Sequence, residues 1–168
     1  MKYGIMEEAD ETEGVYDLPG IRTGDFFYDT RVYLELFDRY MRGQEYGPRA
    51  FREHWQNIFD YLGYYLAIRE DRDISEWCDE LDDFIRNGFL GKERTVSEKQ
   101  LRTMCTSLHR FYLCMKDNMV ITNEEYDRVK EILWTHREKW QEAREKQEAE
   151  QALDDQRKFR RPRGMIMT

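Results

Sequence analysis

Cys105 and His109 are the residues whose spacing first suggests chemistry. They are four positions apart, so on a helix their side chains share one face and can bind a metal ion together. Cys114 follows Cys105 by nine residues, a rotation of about 180° at the helical period, and therefore points to the opposite side. Cys78 can come from a neighbouring helix, but the sequence offers no fourth ligand. Because buried cysteines are common small core residues, we expect a structural role and no metal.

The sequence lacks the usual motifs of helical enzymes. Di-iron bundles use Glu-x-x-His pairs, whereas the residues three positions before His54, His109 and His136 are Phe, Thr and Leu. No glycine-rich phosphate-binding loop occurs. Ser107 lies two residues from His109, which places it on a different side of a helix. We therefore expect a protein that is not an enzyme and that uses no cofactor.

A cluster of positive charge follows Asp155. It holds five cations and one ring, namely Arg157, Lys158, Phe159, Arg160, Arg161 and Arg163. Such cations can neutralise phosphates, and the ring can stack on a base. The whole chain carries a net charge of −8, which opposes a polyanion unless this end acts alone. Nucleic acid, an acidic protein partner and a solvated tail without a partner are all compatible with the cluster.

The predicted second helix has apolar residues on two sides. One face is a regular core stripe, and a second set lies roughly 100° away. A helix of this kind is either central in its bundle or carries a partner surface. Central packing is the favoured interpretation. The alternative partner surface, with one tryptophan from the fifth helix, comprises Tyr61, Tyr64, Tyr65, Ile68 and Trp134.

Helix start signals recur through the middle of the chain. Serine or threonine stands three residues before Gln100 and Glu125, which predicts a capping box at each position. Strand alternation and hairpin turns are absent from the sequence. We predict an all-α, single-domain bundle of about five helices with short loops. The expected helix starts are Asp29, Pro48, Asp73, Ser97 and Thr122.

Charge and composition divide the chain into four segments. We predict an irregular acidic leader over 1–28, the five-helix bundle over 29–140, a solvated helical extension over 141–156 and a basic tail over 157–168. The extension favours a helix, but its few apolar residues make no coiled-coil seam. Pro162 and Gly164 are expected to end that helix.

Length and composition limit the class of protein. The 168 residues suffice for one domain with its own core, and 40% apolar with 14% aromatic residues exclude a disordered chain. No apolar run approaches the ~18 residues of a membrane span, and the N-terminus does not resemble a signal peptide. An odd number of cysteines favours a reducing compartment, so we expect a cytoplasmic protein.

These observations favour a small non-enzymatic interaction or adaptor protein that acts through helix faces and charged ends. Its expected partner is another protein or a second copy of itself. The alternative is a nucleic-acid-associated accessory protein that binds through the basic tail. A further alternative is an acidic mimic of nucleic acid that blocks a basic partner through the leader and through Asp79, Asp82 and Asp83.

Overall fold

Helices build the whole of the described fold. The computed structural model describes residues 24–68, 74, 78–91 and 95–166. Among these residues there is no strand, and the predicted all-α bundle is confirmed. A 3₁₀ turn at Cys78–Glu80 and a π-helix at Phe84–Phe89 flank the third α-helix, and the three form one mixed helical segment. The six α-helices are α1 (Gly24–Arg42), α2 (Pro48–Ile68), α3 (Leu81–Asp83), α4 (Glu98–Asp117), α5 (Asn123–Thr135) and α6 (Arg137–Ile166).

Helix α2 lies at the centre of the bundle. It packs against α1, α4 and the π-helix. Buried rings from these four elements meet edge to face, with centroids 5.6 Å apart for Phe37 and Phe111 and 4.9 Å apart for Tyr61 and Phe84. Ring quadrupoles favour this geometry, which adds to the free energy gained by burying the rings. The side of α2 that carries Tyr61 is shielded as central packing predicts, whereas Trp55 and Phe59 are only partly buried.

Capping boxes fix the starts of α4 and α5. The Gln100 amide donates to Ser97 Oγ at 3.1 Å, and the Ser97 amide donates to the Gln100 side chain at 2.8 Å. Thr122 and Glu125 make the same reciprocal pair at 3.1 and 2.9 Å. Both predicted starts are confirmed, and α2 begins at Pro48 as expected. A cap of this kind contributes about 1 kcal/mol to stability.

Helix α1 begins at Gly24, so the prediction that Asp29 caps it is wrong. Residues 24–28, which we assigned to the irregular leader, belong to this helix. The rest of the leader, residues 1–23, and the expected cap at Asp73 lie outside the described residues.

A break at His136 separates α5 from α6, whereas we expected one continuous helix. His136 has φ −92° and ψ −3°. Side chains compete for the backbone carbonyls at this point, since Thr135 Oγ1 donates to the Glu131 carbonyl at 2.8 Å and His136 Nδ1 lies 3.2 Å from the Ile132 carbonyl. Such back-bonding bends helices. The helix resumes at once, since the Trp140 amide donates to the His136 carbonyl at 3.0 Å.

Helix α6 does not end at Pro162, as we had expected, but continues to Ile166. A proline inside a helix removes one N–H donor and leaves the carbonyl four residues earlier without its usual partner. Here that carbonyl belongs to the exposed Lys158, where water can hydrate it. The helical part of the basic tail is therefore longer than the sequence pattern indicated.

The turn after α4 holds a non-glycine residue in the left-handed region. Met119 has φ 61°, and the Val120 amide donates to the Met115 carbonyl at 2.9 Å, as in a Schellman motif. Glycine usually occupies this position because it lacks the steric cost of a Cβ. We expect Met119→Gly to raise the free energy of unfolding by about 1 kcal/mol in urea denaturation. An unchanged or lower value would contradict the strain assigned to this residue.

The π-helix depends on Gly88. A Cβ at this position would lie 2.9 Å from the Tyr64 ring and 2.9 Å from the Phe84 ring. Both rings contribute to the packing of α2 on the mixed helical segment, so a larger side chain would push these elements apart. Gly88 therefore allows the irregular segment to approach the central helix closely.

Candidate functional site

Helix α6 is the element that leaves the bundle. Its 30 residues correspond to a length of about 45 Å at 1.5 Å per residue. Every residue from Glu148 to Arg160 is exposed, and this stretch of thirteen residues carries no apolar face. A helix that is polar on all sides usually projects into solvent or bridges to a partner. We refer to residues 148–166 as the free end of α6.

Trp140 anchors the base of α6. Its side chain is fully buried, and its indole N–H donates to Asp82 Oδ1 at 2.7 Å. Arg86 Nε donates to the same oxygen at 2.8 Å. Burial raises the pKa of Asp82, but the hydrogen bonds from Trp140 and Arg86 outweigh it, and the pKa lies below its ordinary value. The Asp82 carboxylate therefore holds α6 against the mixed helical segment.

Arg144 provides a second anchor one turn further along. The side chain is 9% exposed and donates to the Val96 carbonyl at 3.3 Å and to Glu148 at 2.8 Å. We expected residues 141–156 to be solvated, and in 141–147 that prediction is wrong for the side that faces the bundle, whereas Glu142, Glu145 and Lys146 are exposed. Arg144 is a cation that packs against the bundle through its aliphatic stem. A search of the sequence for apolar stripes does not detect a contact of this kind. From Glu148 to Arg160 every residue is exposed.

The basic cluster lies at the far end of α6. Arg157, Lys158 and Arg160 are exposed, and Phe159 is 80% exposed. Lys158 Nζ lies 4.0 Å from Asp154 one turn earlier, a surface pair that contributes little to stability. The side chains of Arg161 and Arg163 lie outside the described part of the structure. The described members of the cluster thus share an open, strongly basic helical surface.

Tyr61 is a core residue, and its assignment to a partner surface is wrong. Its side chain is fully buried, and its hydroxyl is hydrogen-bonded to that of Tyr112. Tyr64 is partly buried and packs on Phe84 with ring centroids 5.5 Å apart. The face of α2 that we considered for a partner is covered there by α4 and the π-helix, because α2 is central. The side chains of Tyr65 and Ile68 lie outside the described residues.

Trp134 remains an accessible residue near the base of α6. It is 74% exposed, and the Arg137 guanidinium lies 5.6 Å from the centroid of its ring. A cation over an exposed tryptophan contributes only about 0.5–1 kcal/mol. Large exposed rings at such positions are common in protein interfaces. Trp134 therefore lies close to the base of α6.

A buried serine–histidine pair is the contact that the sequence did not reveal. His54 Nδ1 lies 2.7 Å from Ser107 Oγ, and Asn57 Nδ2 donates to the same oxygen at 3.0 Å. Ser107 Oγ donates its proton to the Thr103 carbonyl at 2.8 Å. Because the hydroxyl proton is used in that bond, Ser107 Oγ accepts hydrogen bonds from Asn57 and His54. His54 therefore carries its proton on Nδ1. Ser107 is fully buried and its proton faces a carbonyl, so the pair links α2 to α4 and does not form an activated nucleophile.

Stability should fall in mild acid because of two histidines. Burial, followed by the nearby Arg110, lowers the pKa of His54 and of His109 below the ordinary value of 6.5. Below about pH 6.5 the unfolded chain therefore binds protons that the folded chain does not, and the free energy of unfolding decreases. Urea denaturation at several pH values should show this decrease between about pH 7 and 5.5, and a smaller slope in His54→Gln. An equal slope in that variant would contradict the assignment.

The cysteines and His109 have structural surroundings. All three cysteines are buried and free, and burial raises the pKa of Cys105 to about 11 and those of Cys78 and Cys114 to about 12. His109 Nε2 lies 2.9 Å from the Tyr126 hydroxyl. Among the described residues, no group of three or more metal-binding side chains comes together. The thiols are therefore protonated and unreactive at neutral pH.

The acids proposed for a nucleic-acid mimic are engaged within the chain. Asp79 accepts from Arg128 at 3.2 Å, and Asp82 binds Trp140 and Arg86. Asp83 accepts from the Asn87 amide at 2.8 Å. All three acids hold intramolecular contacts, although Asp79 remains 59% exposed in a surface ion pair that contributes little to stability.

An open groove of about 1480 Å³ runs along the outer side of α2. Its walls carry charges of both signs, and several are already paired. Arg42 Nε lies 2.8 Å from Asp38, and Arg49 Nε lies 3.3 Å from Glu53. The charges of these two arginines are therefore balanced by neighbouring carboxylates, and they do not select one class of ligand.

No helix in the described part of the chain is long and apolar enough to cross a membrane. Helix α6, the longest, is charged throughout its exposed length. Comparison of the chain with protein-family models, with curated proteins and with solved structures finds no match.

Proposed function

We propose that this chain is a non-enzymatic interaction protein whose bundle holds α6 as a docking helix. The observation that carries the proposal is the contrast along α6 itself. Its base is fixed by the buried Trp140 and Arg144, whereas the thirteen residues from Glu148 to Arg160 are all exposed. A bundle that positions one long polar helix in this way offers a defined surface to another macromolecule.

Energetic considerations favour a bound partner for the free end of α6. An isolated helix shorter than about 12–15 residues is marginal in water, and a longer one without packing still frays at its end. Three apolar or aromatic side chains stand on or near this helix with large exposure: Trp134, Leu153 and Phe159. A partner that covers them would stabilise the helix and remove apolar surface from water.

The test compares the partner proteins that are recovered with the full chain with those that are recovered with defined variants. We expect a protein partner that survives nuclease treatment and is lost when residues 148–168 are deleted. The double variant Leu153→Ala, Phe159→Ala should reduce recovery of the same partner. Met119→Ala is the matched control, since it truncates another apolar side chain, 92% exposed, on the turn after α4. Equal recovery with the full chain and the deletion would overturn the proposal.

A second candidate function is association with nucleic acid through the basic cluster. The exposure of Arg157, Lys158, Phe159 and Arg160 supports it, because phosphate contacts and base stacking both need accessible side chains. If all five cations of the cluster contact phosphates of duplex DNA, the slope of log affinity against log salt should be about −4.5.

Electrophoretic mobility shifts of DNA and RNA test this candidate. Deleting residues 156–168 should abolish any shift, and Arg157→Glu with Arg160→Glu should weaken it strongly. Replacing Lys139 and Lys146 by Glu is a control with the same change in charge at the base of α6. A shift that survives the deletion would reject the basic cluster as the binding site.

A further inference from the structure

We propose that a second copy of this chain occupies the free end of α6, with the two helices antiparallel about a two-fold axis at position 154. This inference rests on the proposed function and names the partner. Its starting point is a face of α6 turned away from the bundle. Trp140, Arg144 and Gln147 are at least partly buried and mark the side that faces the bundle. The residues on the other side are available to a second helix.

That outer side carries a seven-residue pattern. Positions alternate by four and three residues, which is the spacing of the contact line between two paired helices, although half of the six positions are polar and the line is not an apolar seam. In chain order the line consists of Glu145, Ala149, Ala152, Gln156, Phe159 and Arg163. Glu145 lies about 140–160° around the helix from Trp140 and Gln147 at 100° per residue, so the line points away from the bundle.

The pattern is symmetric about position 154. In an antiparallel pair, residues equally distant from the axis on either side of it face each other. Ala149 then faces the partner's Phe159, and Ala152 faces the partner's Gln156. The small side chain of Ala149 therefore leaves space for the large ring of Phe159. Leu153, which is 56% exposed, lies beside the axis and next to the partner's Leu153.

Charge also favours the antiparallel direction. Residues 138–155 hold seven acids and three cations, whereas 157–163 hold five cations and no acid. Antiparallel pairing places 157–163 over 145–151 of the second copy, and a parallel pair would place like charge over like charge. Asp155, beside the axis, accepts from Gln151 of its own helix at 3.2 Å, and Asp154, on the outer side of the pair, lies 4.0 Å from Lys158.

The contact is short and only partly apolar, so we expect a reversible dimer. Raising the protein concentration should shift sedimentation from monomer to dimer, and high salt should shift it back. Phe159→Ala should weaken dimerisation about tenfold. Met119→Ala should leave it unchanged.

Cross-linking at single introduced cysteines tests the geometry in the full chain. The three native thiols are buried, so a short bis-maleimide should react with the introduced cysteine alone. Asp155→Cys lies beside the axis and should give a covalent dimer. Asp154→Cys has the same change in charge, but it lies on the outer side of the pair and should give no covalent dimer. Equal cross-linking of the two variants, or none of either, would overturn the proposal.

A monomer at all concentrations would also overturn this inference. The proposed function would then be judged separately, by the nuclease-resistant partner that depends on residues 148–168. A monomer that shifts nucleic acid, and loses the shift with Arg157→Glu and Arg160→Glu, would assign the free end of α6 to nucleic acid instead.

Discussion

Replacing Trp140 by alanine is expected to lower the free energy of unfolding by about 3–5 kcal/mol. The indole is fully buried between α6 and the mixed helical segment, and its N–H donates to Asp82 at 2.7 Å. The substitution removes a large buried ring and takes a hydrogen bond from a carboxylate that keeps only Arg86. Urea denaturation followed by circular dichroism measures the loss.

Trp134→Ala is the matched control for this variant. Trp134 stands six residues earlier, is 74% exposed, and should change the free energy of unfolding by no more than about 0.5 kcal/mol. Hydrogen exchange adds a second measurement, because loss of the anchor should reduce amide protection along α6 while α4 stays protected. Similar small effects of the two substitutions would show that α6 is not held by Trp140.

The second large effect is expected at Tyr61. Tyr61→Ala should lower the free energy of unfolding by about 3–5 kcal/mol, because the ring is fully buried in contact with Phe84 and Phe111. Tyr61→Phe keeps the ring and removes only the hydroxyl that bonds to Tyr112, so about 1 kcal/mol is expected. Thermal or urea unfolding of both variants measures the difference.

This pair of variants also separates a core residue from a partner residue. If Tyr61 formed a binding surface, alanine would weaken a complex and leave stability nearly unchanged. The burial of the side chain leads to the opposite expectation. A loss below about 1 kcal/mol for Tyr61→Ala would contradict the central position of α2.

Local signals predicted the helix starts that depend on nearby residues. Ser97 with Gln100, and Thr122 with Glu125, act over three positions, so their chemistry can be read directly from the sequence. The two apolar sides of α2 likewise indicated a shielded helix. The same reasoning failed at Asp29, because a good capping residue can equally lie inside a helix when the residues before it continue the helix.

Contacts between distant residues could not be predicted in this way. Arg144 docks on the Val96 carbonyl, and an arginine in a charged stretch gives no sign of burial. His54 meets Ser107 across 53 positions, a pairing that only the packing of α2 on α4 determines. The exposure of Phe159 and Trp134 agrees with the sequence pattern. A surface that covers either side chain lies on a second molecule, so no local signal in the sequence identifies it.

Helix α6 is fixed at its base by Trp140 and Arg144 and is exposed from Glu148 to Arg160. From Trp140 to Ile166 the helix spans about 39 Å, so a turn of about 10° at its base would carry its tip through about 7 Å. A small rearrangement around the Asp82 carboxylate, such as loss of one of its two donors, would thus be magnified at the far end. If α6 pairs with α6 of a second copy, the pairing would in turn restrain the angle between each α6 and its own bundle.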